Sequence, residues 1–198
     1  LASSAASDVY KRQSFDVSAT RPLGAVAAGC EFHESLSLTG AQVVPDFLLA
    51  FALSVSMGVG SQDAAKALAS LAPTHMRQEV VRAACGCRVI DDSYNASPDS
   101  TAAALNALCS MRVAPGGRRI AILGEIGELG DEQDRLHELV GAYAAAKPLD
   151  MLVIVGTDRA DHMERAARLM GFSEDRLVRV SDCLLYTSPS PRDRSESR

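Results

Sequence analysis

The sequence predicts an α/β fold: a Rossmann-like, mostly parallel sheet with helices on both faces over residues 84–182, preceded by a partial α/β region over 14–83. Three observations predict it. From Cys87 onward, short apolar runs alternate strictly with amphipathic stretches of a dozen or so residues, the pattern of βαβ units. Two of those runs end at a glycine, Gly124 and Gly156, where a strand can turn into the next helix. The chain has 198 residues, 47% apolar and 23% charged. That suffices to bury a core and is far from a disordered or fibrous composition.

Residues 14–39 alternate loosely and are broken by Gly and Pro, which predicts two short strands. PDFLLAFALSVSM (45–57) is continuously apolar. It predicts a buried helix, with Pro45 near its first turn and Gly58 ending it. Ser61 is placed as N-cap of a second helix, SQDAAKALASL, with Ala64, Leu68 and Leu71 on one face. Residues 72–82 form a connector running into an extended segment. CRVID (87–91) predicts a strand. Ser97 and Pro98 predict an N-cap and first helical position, opening a helix to about Met111. Pro115, Gly116 and Gly117 predict a turn. RRIAIL (118–123), DMLVIV (150–155) and LVRVS (177–181) predict three more strands. Helices are expected over 131–146, with Leu136, Leu139, Val140 and Tyr143 on one face, and over 158–170, closed by Gly171. Crossovers should be right-handed. The boundary between the two regions is expected near 83–86.

A net charge of −5 argues against nucleic acid as the main partner. No apolar run approaches the roughly 18 residues that span a bilayer, and the first residues lack a signal-peptide core. No membrane insertion and a cytoplasmic location are therefore expected. Five cysteines (Cys30, Cys85, Cys87, Cys109 and Cys183) contain no CxxC pair, so reduced thiols are expected rather than a zinc site. His33, His75, His137 and His162 lack close metal-ligand spacing and suit surface or packing roles.

Both ends differ in character from the rest. DVYKRQ (8–13) can be encoded GAT GTG TAT AAG AGA CAG, and CLLYT (183–187) TGT CTC TTA TAC ACA. The second string lies within the reverse complement of the first, as in sequencing-adaptor DNA. Segments 1–13 and 183–198 are expected to be non-native. They hold three acidic and five basic residues, so without them the net charge moves from −5 to −7.

In parallel α/β sheets, ligands bind beyond the carboxyl ends of the strands, where three loops fall. The first, residues 91–98 (DDSYNASP), packs two carboxylates, hydroxyls and an amide into one strand-to-helix turn. It can accept ribose hydroxyls and place an anion at the helix N-terminus, or serve only to cap the helix. The second, residues 124–130 (GEIGELG), carries two acids that would repel a pyrophosphate and reads as a structural turn. The third, residues 156–159 (GTDR), is a weaker signal of the same kind. Arg77 lies in a polar connector, where an arginine can hold a phosphate or stay solvated. The three lysines, Lys11, Lys66 and Lys147, do not follow glycine, so no GxxxxGK[ST] phosphate loop occurs here.

DDSYNASPDSTAAALNAL closely resembles the Mur ligase family, and within it the MurF type, where D-S-Y-N-A-N-P-x-S opens the C-terminal domain. RRIAILGEIGELGDEQDRLHELVG is similar to the family's R-x-x-V-L-G-D-M-x-E-L-G and the helix with H-x-x-V-G that follows. MLVIVGTDR resembles the next strand and turn. LTGAQVVPDFLLAFALSVSMGV is similar to the central-domain helix, and Pro73 with Arg77 to the Pro–Arg element before the domain boundary. The resemblance implies that 14–83 ends the central ATPase domain and that 84–182 is an incomplete C-terminal domain. It implies a parent enzyme, monomeric, that adds D-alanyl-D-alanine to UDP-N-acetylmuramoyl-tripeptide through an acyl phosphate, using ATP and Mg2+. Asp92 would hold the ATP ribose, Arg77 a phosphate and Asp46 the adenine. Ser93, Tyr94 and Asn95 would face the incoming amino-acid substrate. No catalytic residue or metal ligand is assigned to this chain, which alone is expected to be inactive. Two departures stand out. Asp46 replaces an adenine-contacting Asn, and a carboxylate cannot donate to a ring nitrogen. Ser97 replaces the Asn before Pro98. The alternatives are a stand-alone Rossmann-type nucleotide-binding or regulatory module, another Mur ligase family member, or a packing-only domain.

Overall fold

The computed structural model describes residues 2–9, 12–24, 26–38 and 40–181, with side chains from Ser14 onward. Segment 183–198 lies outside the described residues, and segment 1–13 is described only as backbone over 2–9 and 12–13. The chain divides into two compact units, Leu1–Ala114 and Pro115–Arg198.

In the first unit, β1 (Ala2–Val9), β2 (Arg12–Ser18) and β3 (Glu31–Leu36) form an antiparallel sheet in that order. β2 and β3 are the two strands expected in 14–39. α1 (Val43–Ser56) and α2 (Ser61–Ala69) follow. Val44, Phe47, Phe51 and Val55 recur along α1 at helical spacing and pack with Phe15, Val17 and Leu36 of the sheet. Phe47 meets Phe15 edge-on at 5.3 Å and stacks on Phe51 at 5.8 Å. Each fully buried Phe contributes about 1.5–3 kcal/mol.

The expectation of a buried α1 is corrected to a half-buried helix. A helix touching one sheet buries one stripe, and Leu49, Leu53 and Met57 stand 72%, 60% and 77% exposed. Gly58, at φ 93°, ends α1 as expected. In α2, Gly60 is the N-cap and Ser61 the first helical residue, without a side-chain cap. Ala64 is buried and Leu68 packs on the core, but α2 stops at Ala69 and leaves Leu71 exposed.

β4 (Glu79–Arg82) and β5 (Arg88–Asp91) form a two-stranded antiparallel sheet, paired from Glu79↔Asp91 to Arg82↔Arg88. The expectation that β5 opens the parallel sheet is corrected. Its neighbour is the extended segment just before it, reached by a short turn whose closure costs little chain entropy. α3 (Pro98–Ser110) has Ser97 as N-cap and Pro98 at its first position, as expected.

In the second unit, β6 (Ile120–Gly124), β7 (Met151–Val155) and β8 (Leu177–Val180) form a parallel sheet in sequential order. α4 (Gln133–Ala145), entered through a 3-10 turn at Gly130–Glu132, joins β6 to β7. α5 (Asp158–Leu169) joins β7 to β8. α4 and α5 pack against each other beside this sheet. Ala121, Leu152 and Ile154 of the sheet are buried with Val140, Ala144, Ala160 and Met163 of the helices. The α/β class and the helix-flanked parallel sheet match the expectation.

The face assigned to α4 is corrected. Leu139 is 59% exposed, and the buried stripe is His137, Val140, Gly141 and Ala144. The reason is a close helix crossing. A Cβ on Gly141 would lie 2.2 Å from the Met163 carbonyl oxygen of α5, so α4 turns its small residues inward.

Candidate functional site

The β4–β5 hairpin builds the candidate site at its open end. Its register sets Glu79 opposite Asp91, so the residues just outside, Gln78 and Asp92, stand side by side. The Gln78 backbone N–H donates to Asp92 Oδ1 at 3.1 Å. Two residues out on either strand, the Tyr94 N–H donates to the Met76 carbonyl at 3.2 Å. Between these two ties, the Arg77 guanidinium lies 4.4 Å over the Tyr94 ring, a cation–π contact. Met76 and Gln78 sit at φ 59° and 47°. Left-handed non-glycine residues cost about 1–3 kcal/mol each, and the surrounding bonds hold them there. Glu79 supports the turn, with its Oε2 2.7 Å from His75 Nδ1 and accepting from the Met76 N–H at 3.4 Å.

The loop after β5 divides its polar groups between two tasks. Asp91 Oδ1 accepts the Ser93 hydroxyl at 2.6 Å and the Ser93 N–H at 3.1 Å. The Ser93 hydroxyl holds the Asp91 carboxyl below its ordinary range. Ser97 Oγ accepts the Ser100 N–H at 3.1 Å, and Ser100 Oγ accepts the Ser97 N–H at 2.9 Å. That reciprocal box closes the start of α3. Asn95 and Tyr94 are exposed. The helix-capping role therefore falls to Ser97, and Asp92 ties the two loops.

α1 approaches the same place. The Gln42 side-chain amide, at its N-cap, donates to the Gln78 side chain. Asp46 lies four residues further on, exposed in the first turn of α1. The expected residues Arg77, Asp92, Ser93, Tyr94 and Asn95 thus share one pair of loops, with Asp46 on the helix whose start touches Gln78. Sequence reasoning missed Gln78, Gln42 and Glu79. Gln78 matters through its backbone conformation, and a left-handed non-glycine residue leaves no mark in sequence.

The other two loops are structural. Glu125 Oε1 accepts the N–H groups of Thr157 at 2.6 Å and Ala160 at 3.1 Å, filling the N-terminus of α5. Burial pushes its carboxyl up, but N–H donors from Ala160, Thr157 and Arg159 outweigh that and hold it below its ordinary range. The Ile126 N–H donates to Nε2 of the buried His137 at 3.0 Å, so Nδ1 carries the proton and donates to the Gln133 carbonyl at 2.6 Å. The expected packing role of His137 holds. H-x-x-V-G is the buried stripe of α4: His137 holds the loop after β6, and Gly141 admits α5. Among the described residues, no group of three or more His, Cys, Asp or Glu is arranged to hold a metal.

The family model for the Mur ligase, glutamate ligase domain matches residues 76–185. A UDP-N-acetylmuramoyl-tripeptide–D-alanyl-D-alanine ligase from Mycobacterium leprae is 35% identical over 74% of this chain and 31% of its own length. Its counterpart from Bacillus subtilis is 32% identical over 78% and 33%. The chain thus spans about a third of the curated relatives it matches. The crystal structure of MurF from Acinetobacter baumannii superposes with a TM-score of 0.72 at 26% identity, covering 90% of this chain and 35% of that one. A UDP-N-acetylmuramate–alanine ligase, MurC, from Thermotoga maritima shares the fold, at 17% identity and a TM-score of 0.63. The helix-flanked parallel sheet agrees with these likenesses, and the chain belongs to the Mur ligase family.

Proposed function

We propose that the chain is part of a MurF-type ligase: the end of the central ATPase domain over 14–83 and an incomplete C-terminal domain over 84–182, between non-native ends. The parent enzyme joins D-alanyl-D-alanine to UDP-N-acetylmuramoyl-tripeptide. The tripeptide carboxylate takes the γ-phosphoryl group of ATP, giving an acyl phosphate and ADP. The dipeptide amine then attacks the carbonyl and phosphate leaves. Mg2+, when bound, neutralises phosphate charge during the transfer. We assign no metal ligand to this chain.

The observation that carries this reading is the double tie between residues 76–78 and 92–94. It holds a carboxylate and a guanidinium together on a strained, pre-set loop. Asp92 engages one N–H through Oδ1, and its carboxylate has further lone pairs for ribose hydroxyls. Arg77 is exposed apart from its stacking on Tyr94, so its charge can face a phosphate. Asp46 suits the adenine amino group, a donor, and not a ring nitrogen, an acceptor. Ser93, Tyr94 and Asn95 would face the incoming dipeptide. The proposed compartment is the cytoplasm and the proposed state a monomer, with no described helix long and apolar enough to cross a membrane.

The test is phosphate release. The purified 198-residue chain, given ATP, UDP-N-acetylmuramoyl-tripeptide and D-alanyl-D-alanine, should release none, while the full-length parent should release it only with all three. Release by the isolated chain would overturn the division of labour.

A further inference from the structure

The turn joining β4 to β5 carries two thiols at the opposite end of the hairpin from the candidate site. Cys85 and Cys87 flank Gly86, whose φ of 84° folds the chain back on itself. A Cβ at Gly86 would meet nothing within 4 Å, so backbone conformation and not space favours glycine there. The Gly86 N–H donates to the Ala83 carbonyl at 2.8 Å, and the Ala83 N–H to the Cys87 carbonyl at 2.9 Å. These bonds hold the two sulfurs 3.0 Å apart, on residues that are both exposed.

We propose that Cys85 and Cys87 form a reversible dithiol–disulfide site whose reaction partner is a low-molecular-weight disulfide. The Cys85 thiolate attacks one sulfur of the small disulfide, whose S–S bond breaks. One small thiolate leaves and takes a proton from solvent. The Cys87 thiolate then attacks the Cys85 sulfur of the mixed disulfide and displaces the second small thiolate. In balance, the dithiol loses two electrons and two protons, and the small disulfide becomes two thiols.

The order of attack follows from the sulfur–sulfur contact. The hydrogen bond from Cys87 holds the Cys85 thiol below its ordinary range, and the same bond holds Cys87 above it. Cys85 is therefore the attacking thiolate. Closure brings the sulfurs together by about 1 Å, to a bond of about 2.05 Å. The Arg82↔Arg88 pair lies outside the ring so formed, so the strand register survives. Cys87 and Asp92 flank the four paired positions of β5, five residues or about 17 Å of strand apart.

The chain is equilibrated with mixtures of reduced and oxidised glutathione, quenched in acid, alkylated and cut with trypsin. Cleavage after Arg82 and Arg88 releases residues 83–88, AACGCR, with both thiols and no other cysteine. This peptide should appear two hydrogens lighter, with neither sulfur alkylated, and should return to the doubly alkylated form after dithiothreitol. Half-oxidation in the folded chain should need a glutathione ratio about tenfold more reducing than in urea, because the turn raises the effective thiol concentration. Cys85→Ser and Cys87→Ser should each stop at one mixed disulfide. A peptide that stays doubly alkylated, one carrying two glutathiones, or equal midpoints in the folded chain and in urea would overturn the proposal.

Discussion

Replacing Gly141 with alanine sets two effects of opposite sign against each other. Gly141 lies inside α4, and alanine there favours the helix by about 1 kcal/mol. Against this, the new Cβ would sit 2.2 Å from the Met163 carbonyl oxygen, 2.7 Å from its Cα and 2.8 Å from its carbonyl carbon. All three are backbone atoms of α5, so no rotamer change relieves the contact and the helices must move apart. Overpacking costs about 1–3 kcal/mol, and a clash with backbone belongs at the upper end. The net effect is a loss of about 2 kcal/mol. At about 4–8 °C per kcal/mol for a unit of this size, Gly141→Ala should lower the melting temperature of the second unit by roughly 10 °C. Circular dichroism at 222 nm during heating and in urea measures this. An unchanged or raised melting temperature, which helix propensity alone would give, would refute the packing argument.

Other outcomes follow from single groups. Glu125→Gln should lose about 1 kcal/mol through the weakened start of α5. The Glu125 carboxyl is held below its unfolded value of 4.5. Its contribution is therefore present above that pH and lost as pH falls through the lower folded value. Urea curves of the two proteins should separate at pH 7 and converge in acid; a gap that persists in acid would contradict this. Ser97→Ala should cost about 1 kcal/mol by removing the capping box of α3, read as a lower urea midpoint at unchanged slope. In the full-length enzyme, Arg77→Ala should raise KM for ATP about 10- to 100-fold, the loss of one charge-assisted contact of about 1.5–3 kcal/mol. An unchanged KM would remove Arg77 from the phosphate site.

The second unit was the more legible in sequence. Runs such as MLVIV, each followed by an amphipathic stretch, can form little but buried strands and crossover helices. In the first unit, Ser97–Pro98 marks a helix start by its own chemistry. Three features escaped. The partner of β5 was not legible, because a four-residue strand carries no information about direction. The apolar pattern points to Leu139 on the buried face of α4, whereas the close crossing with α5 puts Gly141 and Ala144 there. In the site, Asp92 and Tyr94 were legible in a chemically dense turn. The left-handed Met76 and Gln78, which bring Arg77 over that turn, were not, since their conformation is imposed by long-range hydrogen bonds.

The central claim, that this chain belongs to a MurF-type ligase, is tested most directly on the full-length protein obtained by extending the gene from flanking genomic DNA. Supplied with ATP, Mg2+ and UDP-N-acetylmuramoyl-tripeptide, that protein should release phosphate when D-alanyl-D-alanine is added and form the corresponding pentapeptide. No release with the dipeptide, or release driven by a single amino acid in its place, would contradict the account.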